Sequence, residues 1–503
     1  MFRIGVLLLA ACGAGLPHPE DAGGSSYFEP ANRLDGIGVD RGNLSGILLA
    51  ARTERMVESQ TFGIMRDPQA VAGAQRITAP RLQAMFRKAS AASGLPASLI
   101  EAVAYLESWG GAQAESPAGP RGIMQVAEAT ARRIGLRVSY ATRHKTSRER
   151  VLVKRAGGKP VYRTVRKKIS YTVLVRDDRL LPERAIPAAA KYLAQMEQRY
   201  GGRDWAVFAY HCGEGCVSEM LALTRQARGA TNPPTVAQMF FLGSPVYNRP
   251  LYEAVRRQMQ RDYSPTYWFR VMRAQQLLQL WRDDPDGFRR LAEDHRSQLI
   301  STVRAPHRLS VWLKSGDLAY RSCEDIISDR SGRLAQALDA PGFLGYTLRK
   351  TGPGAIGGRD PERQQYYVQA APSALGTLIY LAYETRRMYE ALDRGGETWA
   401  PIEVTSLVEP LGYRQGLNGG AGQPELLAHC TGQVFDIDIS GLPRGEQEAL
   451  RFILDDMGWG GYLGFIEETR GSSRIHIGCS PSGREFFSQV FDEAVRARSG
   501  GSS

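Results

Sequence analysis

Cysteine is scarce, with six in 503 residues, so the fold is not a disulfide scaffold. Beyond the first dozen residues no apolar run reaches transmembrane length, which excludes a multi-span membrane protein. No clear internal repeat recurs, which argues against a solenoid. Histidine is also sparse, at seven residues, so any pair placed together by pattern carries weight. Acidic residues nearly vanish between Arg137 and Arg176. That stretch holds 13 Lys and Arg against the single acid Glu149, as much positive charge as the whole chain's net +12. Val151-Leu152-Val153, a Gly157-Gly158 turn and Val161-Tyr162 read there as a hairpin-like insertion, either a solvated basic flap or a surface attracting anionic wall or lipid material.

The first twelve residues have the parts of an export signal. Met1-Phe2-Arg3 is a short basic start, Ile4 to Ala11 an apolar core, and Leu9-Ala10-Ala11-Cys12 resembles a bacterial lipobox. The resemblance implies cleavage before Cys12, lipidation there and a membrane-anchored protein, with a plain secretory signal as the alternative. Gly13 favours an outer-membrane location facing the periplasm. An exported chain makes nucleic acid a poor partner despite its basicity. Residues 13–77, rich in Gly, Pro and small residues, read as a flexible tether. An oxidising compartment would permit Cys212, four residues before Cys216, to pair with it.

The next element carries the chain's clearest chemistry. Pro96 opens a helix on which Leu99, Val103 and Leu106 form an apolar stripe, and Trp109 with Gly110-Gly111 ends it. Glu107 lies on the stripe's edge. A carboxyl packed against apolar surface is harder to ionise, as a general acid near neutral pH requires.

Around it, Glu107-Ser108, the run Ser116-Pro117-Ala118-Gly119-Pro120-Arg121-Gly122-Ile123-Met124-Gln125, Thr130-Ala131 and Ala209-Tyr210-His211-Cys212-Gly213 follow in order. Together they resemble the motifs of the soluble-type (Slt) lytic transglycosylases, which are lysozyme-like; His211 and Cys212 depart from the family's Asn and Ala. The resemblance implies an α-helical domain over 78–224, with the basic insertion 137–176. It implies cleavage of the MurNAc-GlcNAc bond to a 1,6-anhydro end, Glu107 acting first as acid and then as base, with no cofactor. Ser108 and Gln125 would orient the acid and the sugar's acetamido group, Tyr210 would line the cleft, and His211 would stand at the Asn's contact. Most glycosidases use two carboxylates. Only Glu115 stands nearby, and a lysozyme-type hydrolase is the alternative.

Residues 225–400 read as a helical middle region, in which Tyr263, Tyr267, Trp268 and Phe269 look like core. The last hundred residues change period. Phe435-Asp436-Ile437-Asp438-Ile439 and Arg474-Ile475-His476-Ile477 alternate as strands, so Asp436 and His476 can project from one face, with His429 seven residues before Asp436. Two His and one carboxylate with an open position suit catalytic zinc.

The segment from Ala428 to Asp436 resembles the zinc D-alanyl-D-alanine carboxypeptidase-like peptidases. The resemblance maps their ligands onto His429, Asp436 and His476, in a small α+β domain over 401–496. Ser473 stands where the family has its general base, leaving Glu468, or Glu467, to supply it. Cys430 and Cys479 would bridge to brace the site. The whole reads as a multidomain protein that acts on peptidoglycan glycan strands and stem peptides, the alternative being a wall-binding protein with a non-catalytic C-terminal domain. Its oligomeric state is left open.

Overall fold

The computed structural model describes residues 33–156, 159–297, 299–302, 310–313, 320–392, 398–413, 428–467 and 473–500. Cys12 and the signal segment lie outside them. Two units share the chain, one helical and one built on a sheet.

The helical unit starts well before residue 78. Helices α1 (Gly46–Met65) and α2 (Ala70–Ile77) occupy what reads as a flexible tether from composition. The correction has a simple cause: their apolar faces are covered. Met56, Ile64 and Met65 of α1 and Ala74 and Ile77 of α2 are buried, and Tyr105 donates its hydroxyl to Ala70 O at 3.0 Å. The unit continues through α3 (Pro80–Ser93), α4 (Ala97–Ser108) and α5 (Glu128–Arg133) to strands β1 (Val138–Ala156) and β2 (Lys159–Asp177). After them come α6 (Pro182–Tyr200), α7 (Arg203–Cys212), α8 (Glu214–Gln226) and α9 (Val236–Phe241). Helices α10 (Arg249–Arg261), α11 (Tyr267–Asp283) and α12 (Pro285–Ser297) close it.

The middle region 225–400 is therefore not a unit of its own. Val271, Ala274, Leu277 and Leu278 of α11 share one core with Leu99, Ile100 and Val103 of α4 and with Ile186 and Leu193 of α6. The second half of that region belongs to the sheet unit.

That unit begins after a short strand pair, β3 (Leu299–Thr302) with β4 (Ser310–Leu313). Small elements follow: α13 (Cys323–Ser328), β5 (Ala335–Gln336), α14 (Pro341–Leu344), β6 (Tyr346–Leu348), α15 (Gln364–Tyr367) and β7 (Gln369–Ala370). Then come α16 (Pro372–Ala391), β8 (Ile402–Ser406), β9 (Val434–Asp438), α17 (Arg444–Trp459), β10 (Leu463–Glu467), β11 (Arg474–Cys479) and α18 (Arg484–Gly500). Five strands form one sheet in the order β10-β11-β9-β8-β6, antiparallel except for β8 beside β6. The unit begins well before residue 401, because β6 supplies an edge strand and α16 the core. Every residue of α16 from Ser373 to Ala382 is buried, the mark of a helix inside a core. It crosses α18 so closely that a Cβ on Gly376 would lie 1.7 Å from Phe487 O.

Buried charge joins the two units. Asp456 of α17 takes Arg41 at 2.6 Å and also Arg52 of α1, while Gly38 N donates to its other oxygen at 3.0 Å. Arg41 reaches on to Gly243 O at 2.6 Å. Removing one member of a buried charge cluster leaves the others uncompensated, at a cost of about 3–5 kcal/mol. Asp456→Asn is expected to lower stability by that amount in denaturant titration. A loss below about 1 kcal/mol would show that water, not Asp456, satisfies the two guanidinium groups.

Candidate functional site

A cleft of about 700 Å³ opens in the helical unit, lined by Glu107, Ser108, Gln125, Thr130, Tyr210 and His211 among others. Glu107 sits at the end of α4, whose run stops at Trp109 in a left-handed conformation (φ 53°) with its ring edge-on to Tyr105 at 4.7 Å. Surrounding protein pushes the Glu107 pKa up to about 7, against weaker opposing effects of Tyr267 and Arg270. The carboxyl is thus held at the boundary between acid and base. Glu115 also lines the cleft, but it is exposed and paired with Arg121.

Tyr267 was not legible as a site residue. It lies 160 positions from Glu107, yet its hydroxyl donates to Glu107 Oε1 at 2.5 Å. In the sequence it is one aromatic in a core-like cluster, and no local pattern marks it. His211 stacks on the Tyr267 ring with centroids 4.3 Å apart, and its Nδ1 lies 2.8 Å from Ser264 Oγ. Burial lowers the His211 pKa to about 4, so the ring is neutral at physiological pH. Tyr267→Phe deletes the bond to Glu107 without emptying space. The prediction is an upward shift of the acidic group's kinetic pKa, since that bond stabilises the carboxylate. A pH–rate profile unchanged by the substitution would refute the coupling.

Ser108 and Gln125 serve the backbone first. Ser108 Oγ donates to Ile123 O at 2.8 Å, stapling the end of α4 to the Gly122–Gln125 turn, so its role differs from orienting the acid directly. Gln125 is itself left-handed (φ 44°), and its amide nitrogen donates to Gly122 O at 2.9 Å and Ala114 O at 3.1 Å. Tyr210 donates to Met124 O at 2.6 Å. Arg179, unmarked in the sequence, is buried behind this turn; it donates to Gly119 O and Val126 O, each at 3.2 Å, and pairs with Asp177. Gly122 has φ +78°, and a Cβ there would lie 1.8 Å from Arg179 O, so the turn admits only glycine.

The sheet unit holds a second cluster. Strand register sets His476 opposite Asp436, both on the face away from Phe435, Ile437, Ile475 and Ile477. His429, fully buried, completes the group. His429 Nε2 lies 3.1 Å from Asp436 Oδ1 and 3.1 Å from His476 Nδ1, which is 2.7 Å from Asp436 Oδ1. Burial would raise the Asp436 pKa, but the two imidazoles outweigh it and hold the group well below the usual carboxylate range.

The partners of His429 define its proton. Ser406 Oγ donates to Glu409 Oε1 at 2.7 Å, so it faces His429 Nδ1, 3.0 Å away, as an acceptor. Leu407 O accepts at the same nitrogen, at 2.9 Å. Nδ1 therefore carries the hydrogen in the neutral ring, and the bare Nε2 faces a carboxylate oxygen. In the neutral ring two lone pairs meet there, a gap that either a proton on Nε2 or a metal cation fills. Donor separations of 2.7–3.1 Å are shorter than the ~3.3 Å between ligands of a tetrahedral ion with about 2.0–2.1 Å bonds, so the donor set fits zinc with a small outward shift of the side chains.

Three expectations need correction. Glu467 pairs with Arg451, and its register partner is Ile475, so it points to the face opposite His476. Glu468 lies outside the described residues. Cys212, Cys216, Cys430 and Cys479 form no disulfide. Cys479 lies on the Ile475 face beside Ser373 and Thr377 of α16 rather than against Cys430, and the Cys212 thiol makes a hydrogen bond with Cys216, not a disulfide.

The family comparison falls on the helical unit that holds this cleft. Residues 84–151 and 162–232 match the family described as Transglycosylase SLT domain. Peptidoglycan transglycosylase gp16 of Escherichia phage T7 is 34% identical over 132 residues, covering 26% of this chain and 8% of that protein. The chain thus spans under a tenth of that relative's length. No helix among the described residues is long and apolar enough to cross a membrane.

Proposed function

We propose that the helical unit is a peptidoglycan lytic transglycosylase acting on the MurNAc-GlcNAc bond. The observation that carries it is Glu107: one carboxyl, titrating near 7, in a cleft whose other carboxylate is tied to Arg121. Tyr267 occupies Glu107 Oε1, which leaves Oε2 for the proton. Glu107 gives that proton to the glycosidic oxygen as the C1–O bond breaks. The resulting carboxylate takes the proton of the muramyl 6-hydroxyl as O6 bonds to C1, closing the anhydro ring without water. A double-displacement hydrolase needs a second carboxylate about 5–5.5 Å away, and an inverting one a base farther off. Gln125, with its amide nitrogen spent on the backbone, offers its amide oxygen to an acetamido N–H. His211, neutral and stacked, holds the Tyr267 ring.

We further propose that His429, Asp436 and His476 hold a zinc ion, in a site directed at stem peptides. Bound there, zinc would polarise a peptide carbonyl and acidify water. Ser406 and Leu407 O fix the His429 tautomer, and the register of β9 against β11 fixes the other two ligands. Export with lipidation at Cys12 completes the reading. Mass spectrometry of digested sacculi tests the first activity: anhydro-muropeptides support it, whereas reducing ends favour hydrolysis.

A further inference from the structure

The basic insertion is a single two-stranded ribbon. Strands β1 and β2 each run 19 residues and pair from Val138↔Asp177 to Ala156↔Lys159, a length of about 60 Å at ~3.3 Å per residue. Its base is tied to the cleft rim. Val138 is buried in the helical core, and Tyr140 donates to Glu128 Oε2 of α5 at 2.6 Å. Helix α5 lines the cleft through Thr130. Farther out, both faces of the ribbon are exposed.

The charge pattern points to a ligand. By register, Arg143, Lys145 and Arg163 share one face, and Arg148, Arg166 and Lys168 share the other; all six are exposed. Among the described residues, Lys167 pairs with Glu149 on the ribbon beyond its base, at 3.3 Å. Arg148 stands directly opposite Arg166. Like charges facing across strands destabilise a ribbon, so the pair costs stability that no neighbouring acid restores. Successive residues on a face are about 7 Å apart, inside a Debye length of about 8 Å, so their fields add.

Two-sidedness identifies the partner. A ribbon lying on a bilayer needs one apolar or aromatic face and one charged face. Here exposed tyrosines lie on both faces, Tyr171 under Lys145 on one and Tyr140 and Tyr162, the latter under Arg150, on the other, with cations on both. Such a rod suits a polymer mesh that presents anions on all sides. Guanidinium groups pair bidentately with carboxylates and phosphates alike, and the cleft at the ribbon's base favours the carboxylates of the wall.

We propose that the ribbon is a carboxylate-binding arm that enters the wall network and grips stem-peptide carboxylates, holding the strand whose glycan lies in the cleft. This rests on the reading of the cleft as a peptidoglycan site. The test uses the full chain carrying Glu107→Gln, so that binding is read without turnover. Co-sedimentation with purified sacculi is compared for this protein and for one with Arg143, Arg148, Arg163 and Arg166 also changed to Gln. Sacculi whose carboxylates have been amidated, vesicles of one part phosphatidylglycerol to three parts phosphatidylcholine, and a short DNA duplex complete the set. Expected are at least tenfold weaker binding of the four-fold variant to native sacculi, an equal loss for the parent on amidated sacculi, and weakening with salt. Undiminished binding in either comparison, or tighter binding to vesicles or duplex than to sacculi, overturns the proposal. If the variant fails to fold, the amidated sacculi decide alone. Loss of the cleft reading would appear separately, as native protein that binds sacculi but does not cleave them.

Discussion

Glu107→Gln is expected to lower glycan cleavage by at least about a thousandfold while leaving the protein folded, with anhydro-muropeptides vanishing from digests. General acid–base catalysis by one group contributes about 10²–10⁴-fold, and Glu107 serves in both steps. The amide keeps the shape and can still accept from Tyr267. With a folded pKa of about 7, the acid form dominates below pH 7. First-step rate should therefore fall about tenfold per pH unit above 7. The same shift affects stability. The folded pKa lies above the ordinary 4.5, so between those values the folded state binds more protons than the unfolded state. Stability then declines as pH rises from about 4.5 through 7, by up to about 3 kcal/mol, less whatever cleft water screens. Glu107→Gln removes that loss, so the inactive variant should be the more stable protein at pH 8. Equal stability of the two at pH 8, or retained anhydro products, would reject the assignment.

His429→Ala and His476→Ala carry the second large effect. The native chain should retain about one zinc after dialysis, read by elemental analysis, and each variant should lose it. Losing one of three protein ligands should weaken binding by more than the 10–100-fold known for outer-shell changes. Zinc at a thousand times its dissociation constant adds about 4 kcal/mol to stability, so chelation should lower the native melting temperature and leave both variants unmoved. A metal-free native protein, or variants that keep zinc, would remove the site. Ser406→Ala should act more gently, because Leu407 O still holds the Nδ1 proton.

The two sites were legible in the sequence to different depths. Glu107 stood out because an amphipathic helix ends beside it and the motifs of the Gly122–Gln125 turn and Tyr210 follow in order. What Ser108 does was not legible, because its bond to Ile123 O depends on how the turn folds back on α4. Period-two alternation set Asp436 and His476 on one face of their strands, but adjacency needed the register of β9 against β11. Glu467 illustrates the limit: one residue's shift along a strand reverses its face, and no spacing reveals where β10 begins.

Composition misled at the N-terminal side. Small residues suggested a tether, yet α1 and α2 are covered by α11, α12 and α4, partners distant in sequence. By itself, the sequence determined the local devices: a helix end that places a carboxyl on an apolar edge, alternating strands and a ribbon with almost no acids. These follow from backbone sterics, periodicity and charge, which act between near neighbours. Tertiary structure alone decided that Tyr267 reaches Glu107, that Arg179 braces the turn and that Asp456 binds Arg41 and Arg52 across the two units. Each of those contacts joins residues tens to hundreds of positions apart, and only a packed core brings such groups within hydrogen-bond range.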